Sequence, residues 1–570
     1  MSISARGHKV ARLGAGTDGR SADLVLRGGA IYQGVDAGGA PRFAEALAVR
    51  DGDIVGVGAT RTVEALAGPR TVMVDLDGRT VVPGLNDSHL HMVRGGLTWT
   101  DEVFWYETPS LEQALDLLDE RARRVPAGTW LKVVGGWHPG QFAERRSPGG
   151  AELTRRFPDH PVYVQLLYEE AVLNAAGLRA AGITRDAPDP DRGEFVRDPD
   201  GEPTGTVRGI GAFLHCLAHM PAPSRADQIR GTANLMAALN AWGVTAAIDA
   251  GGLGMSPDMY EPLFALWRDG AMTVRTRLYV GPLTRGTEHQ ELMGWLRHTR
   301  PGFGDGWLRH LGIGEITIFG CHDLEGLTDF VVDDTSRRQL DAVCREIAAR
   351  RWPLHMHAVL DDTISAVLDV WEAIDRDHPL AGLRWSLAHA EPISTRNLDR
   401  VAALSCGIAV QDRMVYRATD SAAVWGADAV RGGPPLRDIL ERGIPLGAGT
   451  DSTRVASPNP WVSLWWLVSG NTFDDGPRRV ERHRLTRAEA LDAYTTGSAW
   501  FSFEESERGR LEAGMLADLA VLPDDYFSVP EDAIRHLGSD LTLVDGRVVH
   551  AAGAFAGISD EGAGAVRSRT

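Results

Sequence analysis

The sequence contains little cysteine, and its four cysteines lie far apart. They form no Cys-x-x-Cys pair, which argues against a disulfide framework or a zinc ribbon and favours buried thiols in a reducing compartment. No stretch approaches the roughly 18 uninterrupted apolar residues of a membrane span, and the first twenty residues lack the apolar core of a secretory signal. We therefore expect a cytoplasmic protein that does not enter a membrane.

Positive charge is also scarce. The 570 residues include 59 cationic and 77 acidic side chains, a formal net charge of −18, and only Lys9 and Lys132 are lysines. Nucleic-acid binding depends on clustered cations, so we expect a small molecule as substrate and no nucleic acid. Because 43% of the residues are hydrophobic, most of the chain can form packed cores. The composition does not decide whether the protein forms a homo-oligomer.

Short strand-like runs, separated by glycine or aspartate, occur near both ends of the chain. The simplest packing brings the two groups together as one small discontinuous β-sandwich, formed by residues 21–82 and 501–554. The flanking segments, residues 1–20 and 555–570, are rich in small residues and arginine without periodicity. We predict that these two segments are mobile tails.

Between the two halves, short apolar runs alternate with stretches that place apolar residues at helical spacing. Eight buried strands alternating with helices predict an α/β fold of the (β/α)8 (TIM) barrel type, over residues 83–500. Residues 99–220 do not fit one strand–helix unit, and we predict that they form an insertion after the first barrel strand. The eight apolar runs are residues 80–91, 243–251, 273–280, 311–319, 352–358, 383–390, 407–412 and 444–452.

Ionisable side chains occur at the C-terminal ends of five of these runs. In a barrel those ends converge on one face, where active sites of this fold lie. His89 and His91 are two residues apart, so an extended strand would point both imidazoles the same way. Several imidazoles together with carboxylates suit Zn²⁺, with Mn²⁺ or Fe²⁺ as alternatives. The residues concerned are His89, His91, Glu315, His355, His357, His389 and Asp451.

Each of these features alone has an ordinary structural explanation. A single His-x-His pair, a histidine that ends a strand or a Thr-Asp-Ser turn is more often a packing or capping feature than part of an active site. Their coincidence at the same end of several strands favours a metal site. A divalent ion there would polarise a carbonyl and lower the pKa of water to about 7, and Asp451 could transfer the proton.

Four segments resemble motifs of the amidohydrolase superfamily, in particular its YtcJ-like branch, amidohydrolase family 3. Residues 81–92 are similar to the strand-1 signature PG-x-x-D-x-H-x-H, and residues 357–372, 387–394 and 447–452 are similar to three later motifs of that branch. The resemblance implies a barrel with a split β-sandwich and a metal-dependent hydrolase of C–N bonds. It further implies Asp451 as the catalytic acid/base and the metal ligands His89, His91, His357 and His389.

One departure from the family concerns strand 4, where many relatives bridge two metal ions with a carbamylated lysine. Neither lysine of this chain lies there, so Glu315 is the obvious substitute, although an ungapped comparison places Gly314 at that position. The alternative is that Glu315 contacts substrate or forms a salt bridge beside a single ion. The number of ions, one or two, stays open.

Substrate contacts are harder to identify from sequence. The candidates are His355, which by strand periodicity either faces substrate or supports a ligand, and the residues His138, Tyr168 and His322 in segments near the expected mouth. We predict hydrolysis of an amide, N-formyl or cyclic amide bond of a small molecule. The alternatives are a metal-dependent lyase or decarboxylase on the same barrel, and a non-catalytic scaffold.

Overall fold

A computed structural model describes residues 21–323 and 330–558 of the chain. The predicted tail over residues 1–20 lies outside the described residues, as do positions 559–570 of the second tail. The start of that second tail was placed too early at residue 555. Phe555 is 3% exposed, because its ring packs into the core of the sheet that joins the two chain ends.

The first part of the chain forms five strands and one short helix. These are β1 (Leu24–Val35), β2 (Pro41–Arg50), β3 (Asp53–Gly58), α1 (Thr60–Glu64), β4 (Val72–Asp75) and β5 (Thr80–Pro83). A strand and a helix then begin the central α/β region, namely β6 (Leu85–Leu90) and α2 (Met92–Thr98).

The segment that follows α2 has its own five-stranded sheet, in the order β10-β11-β9-β8-β7, and two hydrophobic cores. The elements of this segment lie within residues 99–220, where the insertion was expected. Its elements are α3 (Leu111–Arg124), β7 (Leu131–Val134), α4 (Gly150–Arg156), β8 (Val162–Leu166), β9 (Glu170–Leu173), α5 (Ala175–Ala180), β10 (Glu194–Arg197), β11 (Pro203–Arg208) and α6 (Ile210–Ala218).

Strands and helices then alternate as the apolar runs predicted. The first half comprises α7 (Arg225–Ala241), β12 (Val244–Asp249), α8 (Glu261–Arg268), β13 (Arg275–Val280), α9 (Glu288–His298), β14 (Phe303–Gly304), β15 (Leu308–Ile313) and α10 (Asp334–Ala349). The second half comprises β16 (His355–Ala358), α11 (Asp361–Asp375), β17 (Ser386–His389), α12 (Thr395–Ala403), β18 (Gly407–Gln411), α13 (Met414–Trp425), α14 (Ala427–Gly432), α15 (Leu436–Glu441) and β19 (Leu446–Gly449).

The last part of the chain returns to the first sheet. It contains α16 (Pro460–Ser469), α17 (Arg487–Ala493), α18 (Thr496–Trp500), β20 (Leu519–Val521), β21 (Leu541–Val544) and β22 (Arg547–Ala551). β20 pairs antiparallel with β5, so the strand order is β22-β21-β20-β5-β1-β2-β3, with β4 beside β1. The two chain ends therefore share one sheet.

The eight parallel strands of the α/β region form two hydrogen-bonded ladders. One contains β6, β12, β13 and β15, and the other contains β16, β17, β18 and β19. The closed barrel that the sequence predicted is therefore not a continuous ladder within the described residues. The ladders meet at a single parallel bridge between Ile313 and Leu354 and at a second junction between β19 and β6, which packs closely.

The strands are shorter than the apolar runs. The fourth run was expected to continue to residue 319, but β15 ends at Ile313, and residues 80–83 belong to the other sheet as β5. The chain just beyond residue 500 also differs from the expected domain boundary. Phe501 packs among the parallel strands against Tyr279, whose hydroxyl donates to the Phe501 carbonyl oxygen at 3.0 Å.

Two expectations from composition can be compared with the structure. All four cysteines are buried and unpaired, which confirms the prediction of buried thiols. Across residues 21–323 and 330–558, no helix combines the length and the apolar character needed to cross a membrane.

Candidate metal centre

The first two histidines lie at the end of β6. His89 is within the strand, whereas His91 stands just outside it as the residue before α2. Their rings are 5.4 Å apart and nearly perpendicular. The pair therefore converges on one site even though the strand ends at Leu90, one residue earlier than the sequence indicated.

Glu315 lies two residues beyond β15 and reaches the centre of the histidine cluster. Its carboxylate oxygens lie 3.3 Å from His89 Nε2, 3.6 Å from His91 Nε2, 3.7 Å from His357 Nδ1 and 3.9 Å from His389 Nε2. Gly314, the alternative position, packs so tightly that a Cβ would lie 2.4 Å from the Ala250 carbonyl oxygen. The side chain available at this place is therefore that of Glu315.

Asp451 completes the cluster from the turn after β19. Its Oδ1 lies 3.0 Å from His91 Nε2 and 3.5 Å from His89 Nε2. His389 and Asp451 both have left-handed backbones, with φ of 76° and 53°. Side chains other than glycine rarely adopt this conformation, and it is typical of residues that tertiary packing holds at functional sites.

The hydrogen bonds of two rings determine which nitrogen faces the cluster. His91 Nδ1 lies 3.1 Å from the Gly251 carbonyl oxygen, and His357 Nε2 lies 2.5 Å from the Asp323 carbonyl oxygen. A carbonyl only accepts hydrogen bonds, so each of these nitrogens carries the proton. In neutral imidazoles the opposite nitrogens, His91 Nε2 and His357 Nδ1, would therefore carry the lone pairs that a metal ion binds.

His355 lies behind His89 rather than against the cavity. It is 1% exposed, its Nε2 is 2.8 Å from His89 Nδ1, and its Nδ1 is 2.8 Å from Ser386 Oγ. Burial and the neighbouring His89 hold the pKa of His355 well below its ordinary value. Both ring nitrogens of His355 are already engaged within the protein. The structure therefore favours a role in which His355 supports the ligand His89 over one in which it contacts substrate.

Three buried aspartates that sequence reasoning did not single out hold this framework. Asp87 accepts from the His89 amide at 3.0 Å and from Thr450 Oγ1 at 2.7 Å, across the junction of β6 and β19. Asp249 accepts from the Val93 and Gly251 amides, which fixes α2 and the carbonyl that binds His91. Asp323 contacts His357 Nε2 twice, through its backbone carbonyl oxygen and through its carboxylate, of which Oδ1 lies 3.1 Å away.

Some buried ring nitrogens of the cluster lie near carboxylates but lack a hydrogen bond in the described part of the chain. Among the described residues, His89 Nε2 and both ring nitrogens of His389 are buried without a hydrogen bond, a costly arrangement unless another group binds there. The ligand atoms of two trios, His89–Glu315–His389 and His89–His91–Asp451, lie within 4.8 Å of one another. Imidazole nitrogens with carboxylate oxygens are the donors that Zn²⁺ accepts, so these residues fit a divalent ion.

The two carboxylates make this site strongly attractive to positive charge. Burial alone would lower the pKa of His89, but Asp451 and Glu315 outweigh it and raise that pKa to about 10. The same histidines hold the pKa of Glu315 and of Asp451 below their ordinary values despite burial. The carboxylates of Glu315 and Asp451 therefore stabilise positive charge at this buried site.

A cavity opens onto the cluster, and it contains two of the four predicted substrate contacts. Tyr168 is 37% exposed at its edge. The ring of His322 lies 3.9 Å from that of His357, and its buried Nδ1 has no hydrogen-bond partner in the described chain. The lining residues are His91, Arg94, Tyr168, Leu253, Glu315, His322, His357, His389, Asp451 and Val455.

His138, the remaining candidate, does not line this cavity in the described part of the chain. Its Nδ1 accepts from the Gly140 amide at 3.1 Å, and its Nε2 lies 2.9 Å from Asp420. Both ring nitrogens therefore serve contacts within the protein. The expectation of a substrate contact for His138 is corrected to a structural one.

Comparison with known proteins places the chain in a family. The sequence model of the amidohydrolase family matches residues 72–550. The chain belongs to the amidohydrolase family. It is therefore a hydrolase that acts on C–N bonds, and the resemblance stated from the motifs is confirmed.

Individual relatives of this amidohydrolase cover almost its whole length. The protein named "Putative amidohydrolase YtcJ" of Bacillus subtilis (strain 168) is 27% identical over 551 residues, covering 92% of this chain and 99% of that protein. An N-substituted formamide deformylase of Arthrobacter pascens is 26% identical over 524 residues, covering 88% and 94%. A solved metal-dependent hydrolase of Pyrococcus horikoshii OT3, described as uncharacterized, matches with a TM-score of 0.64 at 21% identity, covering 89% and 99%, which establishes a similar fold.

Proposed function

We propose that this amidohydrolase is metal-dependent and hydrolyses an amide or N-formyl bond of a small molecule. The observation that carries the proposal is the set of buried imidazole nitrogens that surround Glu315 without a hydrogen bond among the described residues. The name of the formamide deformylase relative supports the N-formyl class. We further propose that the two parallel ladders form a closed (β/α)8 barrel and that the sheet of the chain ends is its small β-sandwich.

The candidate ligand atoms fall into two groups that share His89. His89, His91 and Asp451 form one group, and His89, Glu315 and His389 form the other, with the ring of His357 beside that of His389. Oε1 of Glu315 faces His91, and Oε2 faces His89, His357 and His389. This division supports two ions, most simply zinc, with Glu315 in the place that a carbamylated lysine takes in relatives.

A divalent ion supplies a polarised carbonyl and a water of lowered pKa. The chain supplies the proton transfer. Asp451 lines the cavity, so its carboxylate can accept a proton from the attacking water and give it to the departing nitrogen. The neutral ring of His322, whose pKa burial lowers to about 3, offers its Nδ1 to a polar group of the bound amide.

The proposal also includes the cellular compartment of the protein. Four buried, unpaired cysteines are consistent with a reducing compartment, for which we propose the cytoplasm.

The test is a hydrolysis assay on the full chain supplied with zinc or manganese. We expect N-benzylformamide or a related amide to release formate or another acid together with an amine, and we expect His389→Ala to lose most of the turnover. His298→Ala, at an exposed position on α9, is the control and should retain it. Carbon dioxide release without amine would favour the lyase alternative, and absence of bound metal with full activity would contradict the proposal.

A further inference from the structure

An apolar groove continues from the metal cavity toward the insertion. It has a volume of about 440 Å³, and its lining includes residues of α2, of α6 and of the segment after α6. The groove shares Arg94, Tyr168 and Leu253 with the metal cavity. A volume of this size is typical of a small-molecule site, so one ligand can occupy both spaces.

Helix α6 presents an exposed apolar face to this groove. Ile210, Leu214 and Leu217 line it and are 38%, 58% and 39% exposed. Their spacing places them along one side of the helix, while Cys216 is buried in the core of the insertion. Exposed apolar side chains grouped in this way are typical of a binding surface. Leu97, Met220 and Met259 contribute further apolar surface to the same groove.

Arg94 lies where the groove joins the metal cavity. Its Nε is buried without a hydrogen-bond partner among the described residues, and the nearby Asp249 is already bound to the Val93 and Gly251 amides. The other cations along the groove are paired, Arg454 with Glu102 and Lys132 with Asp101. Among the described residues, Arg94 therefore offers a buried guanidinium N–H without a hydrogen-bond partner beside the metal site, and a guanidinium binds carboxylates well.

We propose that the substrate is an anionic amide: its carboxylate binds Arg94, its reacting C–N bond lies at the metal cluster, and its apolar group occupies the groove beside α6. This inference rests on the proposed function and adds the substrate class. Each methylene buried in the groove should raise kcat/KM about fourfold. The carboxylate should add about tenfold or more.

The kinetic test uses the full chain loaded with zinc and three probes: N-formyl-phenylalanine as both enantiomers, N-formyl-phenethylamine, which lacks the carboxylate, and N-formyl-alanine, which lacks the apolar ring. Wild type should prefer an enantiomer of the first probe over the second by about tenfold or more. Arg94→Gln should remove this preference, and Arg123→Gln, at an exposed position of α3, should keep it.

The groove is tested with Leu214→Asp, which changes a largely exposed side chain and should not prevent folding. It should lower kcat/KM more for N-formyl-phenylalanine than for N-formyl-alanine, whereas Val35→Asp, at an exposed strand end, should leave their ratio as in wild type. An equal ratio in wild type and Leu214→Asp would overturn the groove assignment.

A binding measurement separates this inference from the proposed function. Calorimetry on the zinc-loaded protein compares 4-phenylbutanoate with 4-phenylbutanol, which share the apolar part and need no turnover. Tighter binding of the carboxylate in wild type but not in Arg94→Gln supports the inference, even if no formamide is hydrolysed and the proposed reaction fails. A carboxylate preference that persists in Arg94→Gln, or no preference in wild type while formamides are hydrolysed, overturns it.

Discussion

His355 Nε2 lies 2.8 Å from His89 Nδ1, so one buried imidazole orients another. The second nitrogen of His355 contacts Ser386 Oγ on the neighbouring strand, also at 2.8 Å. This chain of three side chains holds His89 Nε2 toward Glu315 and Asp451. Supporting groups of this kind determine how well a ligand binds its metal.

We predict that His355→Ala weakens metal binding about 10- to 100-fold, because the His89 ring loses the group that orients it. Competition with a chelating dye measures this affinity directly. The matched control is His160→Ala, which also removes a largely buried histidine, but from the insertion rather than from the metal cluster. Equal affinities for His355→Ala and wild type would show that His89 does not need this support.

Glu315→Gln distinguishes the two roles considered for this residue. If the carboxylate holds metal between the four imidazoles, the neutral amide should lower the bound metal per chain and reduce kcat by about 100-fold or more. If Glu315 contacts substrate beside a single ion, metal content should be unchanged and KM should rise. Elemental analysis together with steady-state kinetics separates the outcomes, with the exposed Glu202→Gln as control.

Gly449→Ala should open the junction of β19 and β6. A Cβ there would lie 2.6 Å from the His89 amide nitrogen and 2.6 Å from Asp87 Oδ1, closer than packing allows. We expect a loss of about 1–3 kcal/mol in the free energy of unfolding, measured by urea denaturation. Gly294→Ala in α9, where nothing lies within 4 Å of the added carbon, should be neutral or stabilising. Similar losses for both would argue against tight packing at this junction.

A buried cluster of one carboxylate and three guanidinium groups predicts how stability depends on pH. Glu504 accepts hydrogen bonds from Arg277, Arg309 and Arg508. Burial opposes its charge, but the three guanidinium groups hold its pKa well below the ordinary value. A lowered pKa means that the unfolded chain binds the proton first, so this contribution is complete above a pH of about 4.3 and is lost as pH falls toward the folded-state pKa.

Glu504→Gln should therefore reduce the free energy of unfolding at pH 7 by about 3–5 kcal/mol, because it leaves buried arginines unpaired. It should also flatten the acid side of the stability curve. Urea denaturation between pH 3 and 7 measures both effects. A variant curve parallel to that of wild type throughout this range would contradict the assignment.

The sequence predicted the parts of this site that depend on strand register. His89, His357 and His389 lie within strands that apolar runs identify, and the ends of parallel strands meet at one face. The direction of His355 could not be predicted, because it depends on Ser386 from the adjacent strand. Asp87 was visible within a motif, but its bond to Thr450 joins residues that are distant in sequence.

Arg94 illustrates a second limit of prediction from the sequence. It follows His91 by three residues, but the proposal for it rests on a buried Nε without a hydrogen bond among the described residues, and a sequence cannot show whether a buried atom has a hydrogen-bond partner. The prediction that His138 contacts substrate was wrong because its ring already has a partner. Asp420, on a helix distant in sequence, lies 2.9 Å from His138 Nε2. The junction between the two ladders likewise depends on the close packing of β19 against β6, which apolar patterns do not encode.

Anomalous diffraction at the zinc absorption edge, on crystals of the full chain grown with zinc, tests the central claim most directly. We predict one or two strong peaks enclosed by His89, His91, His357 and His389, with Glu315 and Asp451 within coordination distance. Peaks found only elsewhere on the protein, or none at this cluster, would contradict a metal-dependent mechanism for this amidohydrolase.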